Sequence, residues 1–203
     1  MTKVGILLSG RGSNFVAIAD QVAGGRLPAE IAVVISNRED APGLDAARDR
    51  GIPALTIPSK GYDRDTYHRL LIPPLRERGV EWVLLAGYMR VLSTEFIRAF
   101  PNRILNIHPS LLPAFPGLDA QRQAYEYGVK VSGCTVHFVD EYLDNGPIVL
   151  QKAVEAEESD TAESLAARIL RAEHEIYSAA IRRLLTEPWR IQGRRVLFSS
   201  STA

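Results

Sequence analysis

The sequence predicts an α/β fold in which a mainly parallel, twisted sheet carries helices on both faces. Three observations predict it. The first hundred residues alternate short apolar runs with amphipathic helical patterns, as in parallel sheets with helical connections. The apolar runs do not alternate with polar residues, which is typical of strands covered on both faces. The chain has 203 residues, 46% of them hydrophobic, and this is enough for one sizeable core.

The first half of the chain supplies five strands and four helices. The strands are short apolar runs, and they lie at 4–8, 31–35, 54–57, 82–86 and 103–106. The helices have an apolar face, formed in the first of them by Phe15, Ile18 and Val22, and they lie at 14–23, 44–50, 63–78 and 94–99. Each helix therefore connects two strands of the expected parallel sheet.

The pattern changes in the second half, after a loop rich in proline and glycine at 113–117. In order, we expect a short helix at 121–127, strands at 131–139 and 148–154, a long amphipathic helix at 161–185, an edge strand at 196–198 and a frayed end at 199–203. The sequence contains no internal repeat, low-complexity block or linker. We therefore expect a single domain over residues 1–203.

The composition excludes several classes of protein. The 24 basic side chains balance the 24 acidic ones, so no global field attracts nucleic acid or an anionic membrane. A single cysteine, Cys134, forms neither an intrachain disulfide framework nor a cysteine zinc cluster. The histidines are scattered, without the spacing of a metal site. Since no apolar run approaches the ~20 residues that span a bilayer, we expect a soluble, cytoplasmic protein that binds no metal, nucleic acid or membrane.

A glycine-rich loop, Ser9-Gly10-Arg11-Gly12-Ser13-Asn14, joins the first strand to the first helix. Backbone N–H groups at such a helix start suit a phosphate. The spacing differs from the dinucleotide fingerprint, because Phe15 stands where a third glycine is needed, and the loop lacks the lysine of nucleoside triphosphate loops. The pattern favours a single phosphomonoester, and the alternative is a tight turn that caps the helix.

Three polar groups beside apolar runs are candidates for catalysis. Asn106 and His108 lie at or just past the end of a strand, and Asp144 begins the segment Asp144-Asn145-Gly146-Pro147. An amide N–H can hold an oxyanion, a histidine can hold or move a proton near neutral pH, and a carboxylate favours the charged histidine. Together they suit the transfer of a one-carbon acyl unit to an amine. The alternatives are a capped strand end and an ordinary turn between strands.

Other polar residues have simpler interpretations. His68 on a helix and His137 in a strand are expected to be structural, and Ser110 is expected to form hydrogen bonds within its loop. Helical spacing places Glu173 and His174 on a solvated face. No G-x-S-x-G segment is present, which argues against a serine nucleophile.

In its motifs the chain resembles the phosphoribosylglycinamide formyltransferases, the folate-dependent enzymes of purine synthesis. The motifs lie at 8–14, 34–37, 85–92, 106–113 and 133–151. The resemblance implies a Rossmann-like formyltransferase fold, with a phosphate-binding first half of about 1–100 and a folate and catalytic second half of about 101–190. It implies 5-phosphoribosylglycinamide as acceptor, 10-formyltetrahydrofolate as co-substrate and a monomer or homodimer.

The resemblance also implies a role for individual residues. The catalytic residues are Asn106, His108 and Asp144; the ribonucleotide is bound by Gly12, Ser13, Asn14 and Glu173; and the folate is bound by Arg64, Met89, Arg90, Val91, Leu92, Asn106, Asp140 and Asp144. In the implied mechanism the glycinamide amine attacks the formyl carbon. Asn106 and protonated His108 then stabilise the oxyanion, and Asp144 keeps the histidine protonated.

Three other functions compete with this one. Methionyl-tRNA formyltransferase shares the catalytic trio, but it carries a further C-terminal domain and must bind tRNA, whereas this chain has no basic stripe. Formyltetrahydrofolate hydrolase carries an N-terminal regulatory domain, whereas the first strand here begins near residue 3. A non-catalytic nucleotide-binding module would need the phosphate loop but neither His108 nor Asp144.

Overall fold

The computed structural model describes residues 1–199, and its strands and helices fall into two units. The first unit is Met1–Asn106, and the second begins at Ile107. The fifth strand, β5 (Ile104–His108), runs across this boundary. Within residues 1–199, no helix is both long and apolar enough to cross a membrane.

The first unit contains a parallel sheet with helical connections. Its elements in chain order are β1 (Thr2–Leu8), α1 (Ser13–Ala23), β2 (Ala29–Ser36), α2 (Pro42–Asp49), β3 (Ala54–Thr56), α3 (Arg64–Glu77), β4 (Trp82–Leu85), α4 (Thr94–Ala99) and the start of β5. The strands lie in the order β3-β2-β1-β4-β5, and every neighbouring pair is parallel. The five predicted strands and four predicted helices of this half are confirmed.

Burial explains why the strands of the first unit are apolar without alternation. All four residues of β4 and the last five of β1 are buried, as expected for strands covered on both faces. Helices α3 and α4 each begin after a residue whose side chain accepts from an N–H group of the first turn. The Asp63 carboxylate accepts from the Thr66 N–H at 2.8 Å, and the Ser93 hydroxyl accepts from the Phe96 N–H at 3.2 Å.

The second unit combines a mixed sheet with a long helix. Its elements are α5 (Ala120–Tyr127), β6 (Val131–Phe138), β7 (Ile148–Glu155), α6 (Ala162–Thr186), β8 (Trp189–Gln192) and β9 (Arg195–Phe198). The strands lie in the order β6-β7-β9-β8; the β7–β9 pair is parallel, and β6–β7 and β8–β9 are antiparallel. Helix α6 begins with a capping box between Thr161 and Ser164 and packs on β6 and β7.

The fold class is confirmed as a mostly parallel, mixed sheet with helices. Two differences from the sequence-based expectation bear on function. Strand β5 continues to His108 instead of ending at residue 106. The strand expected at 196–198 is β9, but its predicted place at the sheet edge is wrong, because β9 lies between β7 and β8. Strand β8, the outer arm of the same hairpin, was missed. The frayed end expected at 199–203 lies, except for residue 199, outside the described residues.

Candidate active site

Strand β5 places Asn106 and His108 two positions apart near its end. Side chains two positions apart on a strand project to the same side. His108 is buried, with 4% of its surface exposed, and Asn106 is half-buried. Both residues were expected at or just past the strand end, and the structure places both within the strand.

Both ring nitrogens of His108 face oxygen acceptors. Nε2 lies 2.8 Å from the backbone carbonyl oxygen of Phe115, which can only accept, so Nε2 donates. Nδ1 lies 3.4 Å from Oδ2 of Asp144. A neutral imidazole has one N–H, whereas an imidazolium donates from both nitrogens. The geometry therefore assigns a proton to Nε2 and places Nδ1 against the Asp144 carboxylate.

A backbone N–H group holds the Asp144 carboxylate. Oδ2 accepts a hydrogen bond from the Gly117 N–H at 2.8 Å, whereas Oδ1 lies 3.8 Å from Nε2 of His137, beyond hydrogen-bond distance. The side chain is only 9% exposed. A backbone hydrogen bond from Phe138 N to Pro147 O, 2.9 Å long, closes the base of the loop that carries it.

His137 is buried beside Asp144 but favours its neutral form. Burial lowers the pKa of His137, and the positive charge of His108 lowers it further, against the opposing effects of the Phe138 carbonyl and Asp144. Its Nδ1 donates to the carbonyl oxygen of Phe138 at 2.8 Å. A neutral His137 leaves the negative charge of Asp144 to pair with His108.

Buried polar side chains hold the loop that follows His108. The Thr135 hydroxyl donates to the carbonyl oxygen of Ser110 at 2.7 Å and accepts from the Leu112 N–H at 3.0 Å. The Gln151 amide donates to the Leu112 carbonyl oxygen at 2.9 Å. Ser110 donates to the Ala114 carbonyl, which fits its expected role in the loop.

Sequence reasoning assigned no role to Thr135 or Gln151 and treated His137 only as structural. Thr135 and His137 are buried polar residues that alternate along strand β6. Polar residues at every second position of an otherwise apolar strand indicate one polar face. That spacing is the signal that could have identified them.

The glycine-rich loop between β1 and α1 ends at the first turn of a helix. Gly12 precedes α1 with φ +71°, a left-handed conformation, and a Cβ there would lie 2.9 Å from the Cα of Gly43. Ser13 and Asn14 form the first turn of α1, where backbone N–H groups lack intrahelical acceptors and the helix dipole favours an anion. This placement agrees with the loop predicted between the first strand and helix.

A polar network ties the glycine-rich loop to the segment 89–92. The Ser9 hydroxyl donates to Oδ1 of Asn37 at 2.6 Å and accepts from the Met89 N–H at 2.9 Å. The Asn37 amide donates to the Ser59 hydroxyl at 3.3 Å, and Arg90 Nη1 donates to the same hydroxyl at 3.1 Å. The backbone positions of both segments therefore depend on one set of side chains within the first unit.

The segment 89–92 is variably exposed and is anchored at its two ends. Met89 and Val91 are exposed, Arg90 is half-buried and Leu92 is buried. Just beyond its ends, Ser93 N–H donates to Nδ1 of His68 at 3.1 Å, and His68 Nε2 donates to the Tyr88 hydroxyl at 3.2 Å. Because Nδ1 must accept from Ser93, Nε2 carries the proton of the neutral ring. His68 is thus structural, as expected, and it holds both flanks of this segment.

The remaining candidate residues lie on helices or in the 139–147 loop. Arg64, exposed, is the first residue of α3 and lies 3.4 Å from the Asp65 carboxylate. Asp140 accepts from the Asn145 side chain at 3.0 Å. Glu173 on α6 is 5% exposed, so the expectation of a solvated face is wrong. The long helix packs on strands β6 and β7, and this packing buries a position that helical spacing alone could not assign.

The comparison with known families decides the class of this chain. The family model described as Formyl transferase matches residues 2–181. The chain belongs to the formyl transferase family. It is therefore an enzyme that acts on small-molecule substrates. Within residues 1–199, no group of three or more His, Cys, Asp or Glu side chains is arranged to hold a metal ion.

Relatives within the formyl transferase family are similar over nearly the whole chain. Phosphoribosylglycinamide formyltransferase of Bacillus subtilis (strain 168) is 42% identical over 186 residues, which are 91% of this chain and 95% of that protein. The enzyme of the same name from Escherichia coli (strain K12) is 42% identical over 177 residues, 87% of this chain and 84% of that one. The crystal structure of glycinamide ribonucleotide transformylase 1 from Symbiobacterium toebii superposes with a TM-score of 0.95 at 53% identity, covering 98% of this chain and 94% of that chain.

Proposed function

We propose that this protein transfers the formyl group of 10-formyltetrahydrofolate to the amine of 5-phosphoribosylglycinamide in de novo purine biosynthesis. The observation that carries the proposal is the setting of His108, whose two nitrogens face the Asp144 carboxylate and the Phe115 carbonyl. The similarity to enzymes named phosphoribosylglycinamide formyltransferase supports the choice of acceptor.

The proposed reaction has three steps. The neutral amine attacks the formyl carbon, and a C–N bond forms as the carbonyl π electrons move to oxygen. Asn106 and the charged His108 donate to this oxyanion, and the nearby Asp144 carboxylate favours the positive charge on His108. The bond from carbon to N10 then breaks, and the proton lost by the attacking amine passes to N10 through His108 or water.

In the proposed mechanism, Nε2 of His108 is the ring nitrogen that donates to the oxyanion. Nδ1 of His108 faces Asp144, so Nε2 is the nitrogen that meets the substrate. In this structure Nε2 donates to the Phe115 carbonyl. We propose that the formyl oxygen takes the place of that carbonyl when both substrates are bound.

The substrates are assigned to residues that the sequence singled out. Gly12, Ser13 and Asn14 hold the phosphate at the start of α1, and Glu173 contacts the ribonucleotide as an acceptor. The folate is held by the remaining residues, namely Arg64, Met89, Arg90, Val91, Leu92, Asn106, Asp140 and Asp144. A single formyltransferase domain, a cytoplasmic location and a monomer or homodimer complete the proposal, and the continuous family match over residues 2–181 supports a single domain.

The test is formyl transfer in a purified system. Release of formyl-free folate from 10-formyltetrahydrofolate is recorded with and without 5-phosphoribosylglycinamide, and the formylated product is identified by mass spectrometry. We expect release only when the acceptor is present. Release without the acceptor would indicate a hydrolase. If 5-phosphoribosylglycinamide gives no release but methionyl-tRNA in its place does, the acceptor is the tRNA. Binding of the ribonucleotide without any release would indicate a non-catalytic module.

A further inference from the structure

The loop 139–147 holds Asp144 in a backbone conformation that needs support. Asp144 has φ +47°, a left-handed value that is uncommon for a residue other than glycine. Strained conformations of this kind persist only where surrounding contacts enforce them. The contacts that fix the neighbouring residues therefore decide where the Asp144 carboxylate lies relative to His108.

The residue that follows Asp144 links the loop internally. The Asn145 side-chain amide donates from Nδ2 to Oδ2 of Asp140 at 3.0 Å. Asp140 also accepts from the Tyr142 N–H at 3.0 Å. Because one end of the Asn145 amide points at Asp140, its oxygen is directed away from Asp140.

Arg194 contacts this oxygen and the main chain of the same residue. It lies in the turn between β8 and β9, directly after Gly193, which has φ +60°. Its Nη1 lies 3.4 Å from Oδ1 of Asn145, and its Nη2 donates to the backbone carbonyl oxygen of the same residue at 2.5 Å. One guanidinium thus fixes both the side chain and the main chain next to Asp144.

The hairpin that carries Arg194 is itself firmly anchored within the second unit. The Trp189 indole N–H donates to the Leu184 carbonyl at 3.0 Å, and its ring lies 5.3 Å from that of Phe138. The Arg183 guanidinium lies 3.8 Å from the centre of the Phe198 ring. An anchored hairpin can transmit its position to the loop through Arg194.

We propose that Arg194 is a positioning residue that holds the loop of Asp144 in its catalytic geometry. The hairpin from Trp189 to Phe198 lies beyond residues 2–181, which the family model matches. Arg194 therefore lies outside the residues that the family model matches, and it contacts Asn145, which lies within them. The inference rests on the proposed function, because it assigns Arg194 to the reaction in which Asp144 acts.

Turnover of single and double variants tests the inference. Arg194→Ala should lower kcat about tenfold, because a loop without this contact keeps Asp144 beside His108 for only a fraction of the time. The kcat of Arg194→Lys should lie between those of the unmodified protein and Arg194→Ala, since an ammonium cannot reproduce both bonds. Arg190→Ala is the matched control, because Arg190 is an exposed arginine of the same hairpin. It should retain the kcat of the unmodified protein.

A double-mutant cycle separates positioning from general stability. If Arg194 acts through Asp144, Arg194→Ala should change kcat less than about twofold once Asp144→Asn is present. A tenfold loss that persists in the Asp144→Asn background, or full turnover of Arg194→Ala alone, would overturn the inference.

Amide hydrogen exchange provides a readout that does not need substrates. Exchange in the segment 139–147 should be faster in Arg194→Ala than in Arg190→Ala. Equal exchange would overturn the inference even if turnover fell. If the unmodified protein transfers no formyl group, the proposed function fails, whereas faster exchange in Arg194→Ala would still support the contact of Arg194 with the loop.

Discussion

Acid should destabilise this protein through His68, a buried histidine with two hydrogen-bond partners. Its side chain is fully buried, with Tyr67 and Phe96 rings 5.4 and 5.8 Å from its own. Burial, together with the positive charge of Arg90, lowers the pKa of His68 from 6.5 to about 4. A proton on Nδ1 would also remove the acceptor of the Ser93 N–H. The perturbation that tests this is His68→Gln, which removes the titration and keeps a donor.

The size of the effect follows from the two pKa values. The folded protein holds His68 neutral, so protonation favours the unfolded chain. Above pH 6.5 the histidine is neutral in both states and has little effect on the free energy of unfolding. This free energy then falls as the pH decreases from 6.5 to about 4. A difference of this size corresponds to about 3 kcal/mol once the pH is below 4. That is a large share of the ~5–15 kcal/mol that stabilises most domains.

Urea unfolding at pH 7.5 and pH 4.5 measures this contribution. Carboxylates titrate in both proteins, so the useful quantity is the pH-dependent loss in the unmodified protein minus the loss in His68→Gln. We expect about 2–3 kcal/mol at pH 4.5, because the histidine of the unfolded chain is then almost fully protonated. Equal losses in the two proteins would refute the reasoning, since they would show that folding does not depress the pKa of His68.

Three further predictions concern the site and the core. His108→Ala and Asp144→Asn should each lower the kcat of formyl transfer by about 100- to 1,000-fold with unchanged circular dichroism, and a loss below tenfold would remove them from catalysis. Gly12→Ala should raise the KM for the ribonucleotide and lower the free energy of unfolding by about 1–3 kcal/mol, because φ is +71° and the new Cβ would lie 2.9 Å from the Cα of Gly43. Ligand titration and urea unfolding measure the two effects, and unchanged values would show that alanine causes no strain at this position. Burial and nearby Glu173 raise the pKa of the Cys134 thiol to about 12, so iodoacetamide at pH 8 should label it in urea but not in the folded protein; fast labelling of the folded protein would show that the thiol is accessible.

Most strands and helices could be predicted because residues adjacent in the sequence carry the pattern of each element. The runs that form β1 and β4 are buried on both faces, so they are continuous in apolar residues and are visible without tertiary information. The glycine-rich loop before α1 could be recognised for a similar reason, since the left-handed Gly12 and the helix start are adjacent in sequence. The positions of Asn106 and His108 near the end of the fifth strand could be predicted in the same way, because the apolar run that precedes them is continuous.

The hairpin of β8 and β9 was half missed because its signal is weak. Trp189 to Gln192 alternates over only four residues, and a four-residue strand is too short for a reliable period. Gly193 between two alternating segments is the turn residue that could have indicated it. Without the hairpin, nothing in the sequence pointed to Arg194.

By itself the sequence determined the parallel α/β arrangement of the first unit, the glycine-rich loop before α1 and the presence of an amide, an imidazole and a carboxylate. Only the tertiary structure decided which of these groups are buried and which lie together, because burial and pairing depend on residues far apart in the chain. His108 and Asp144 are 36 positions apart in the numbering, yet their side chains lie 3.4 Å apart. The burial of Glu173 likewise depends on the sheet beneath its helix. Helical spacing gives the faces of a helix, but only packing determines which face is buried.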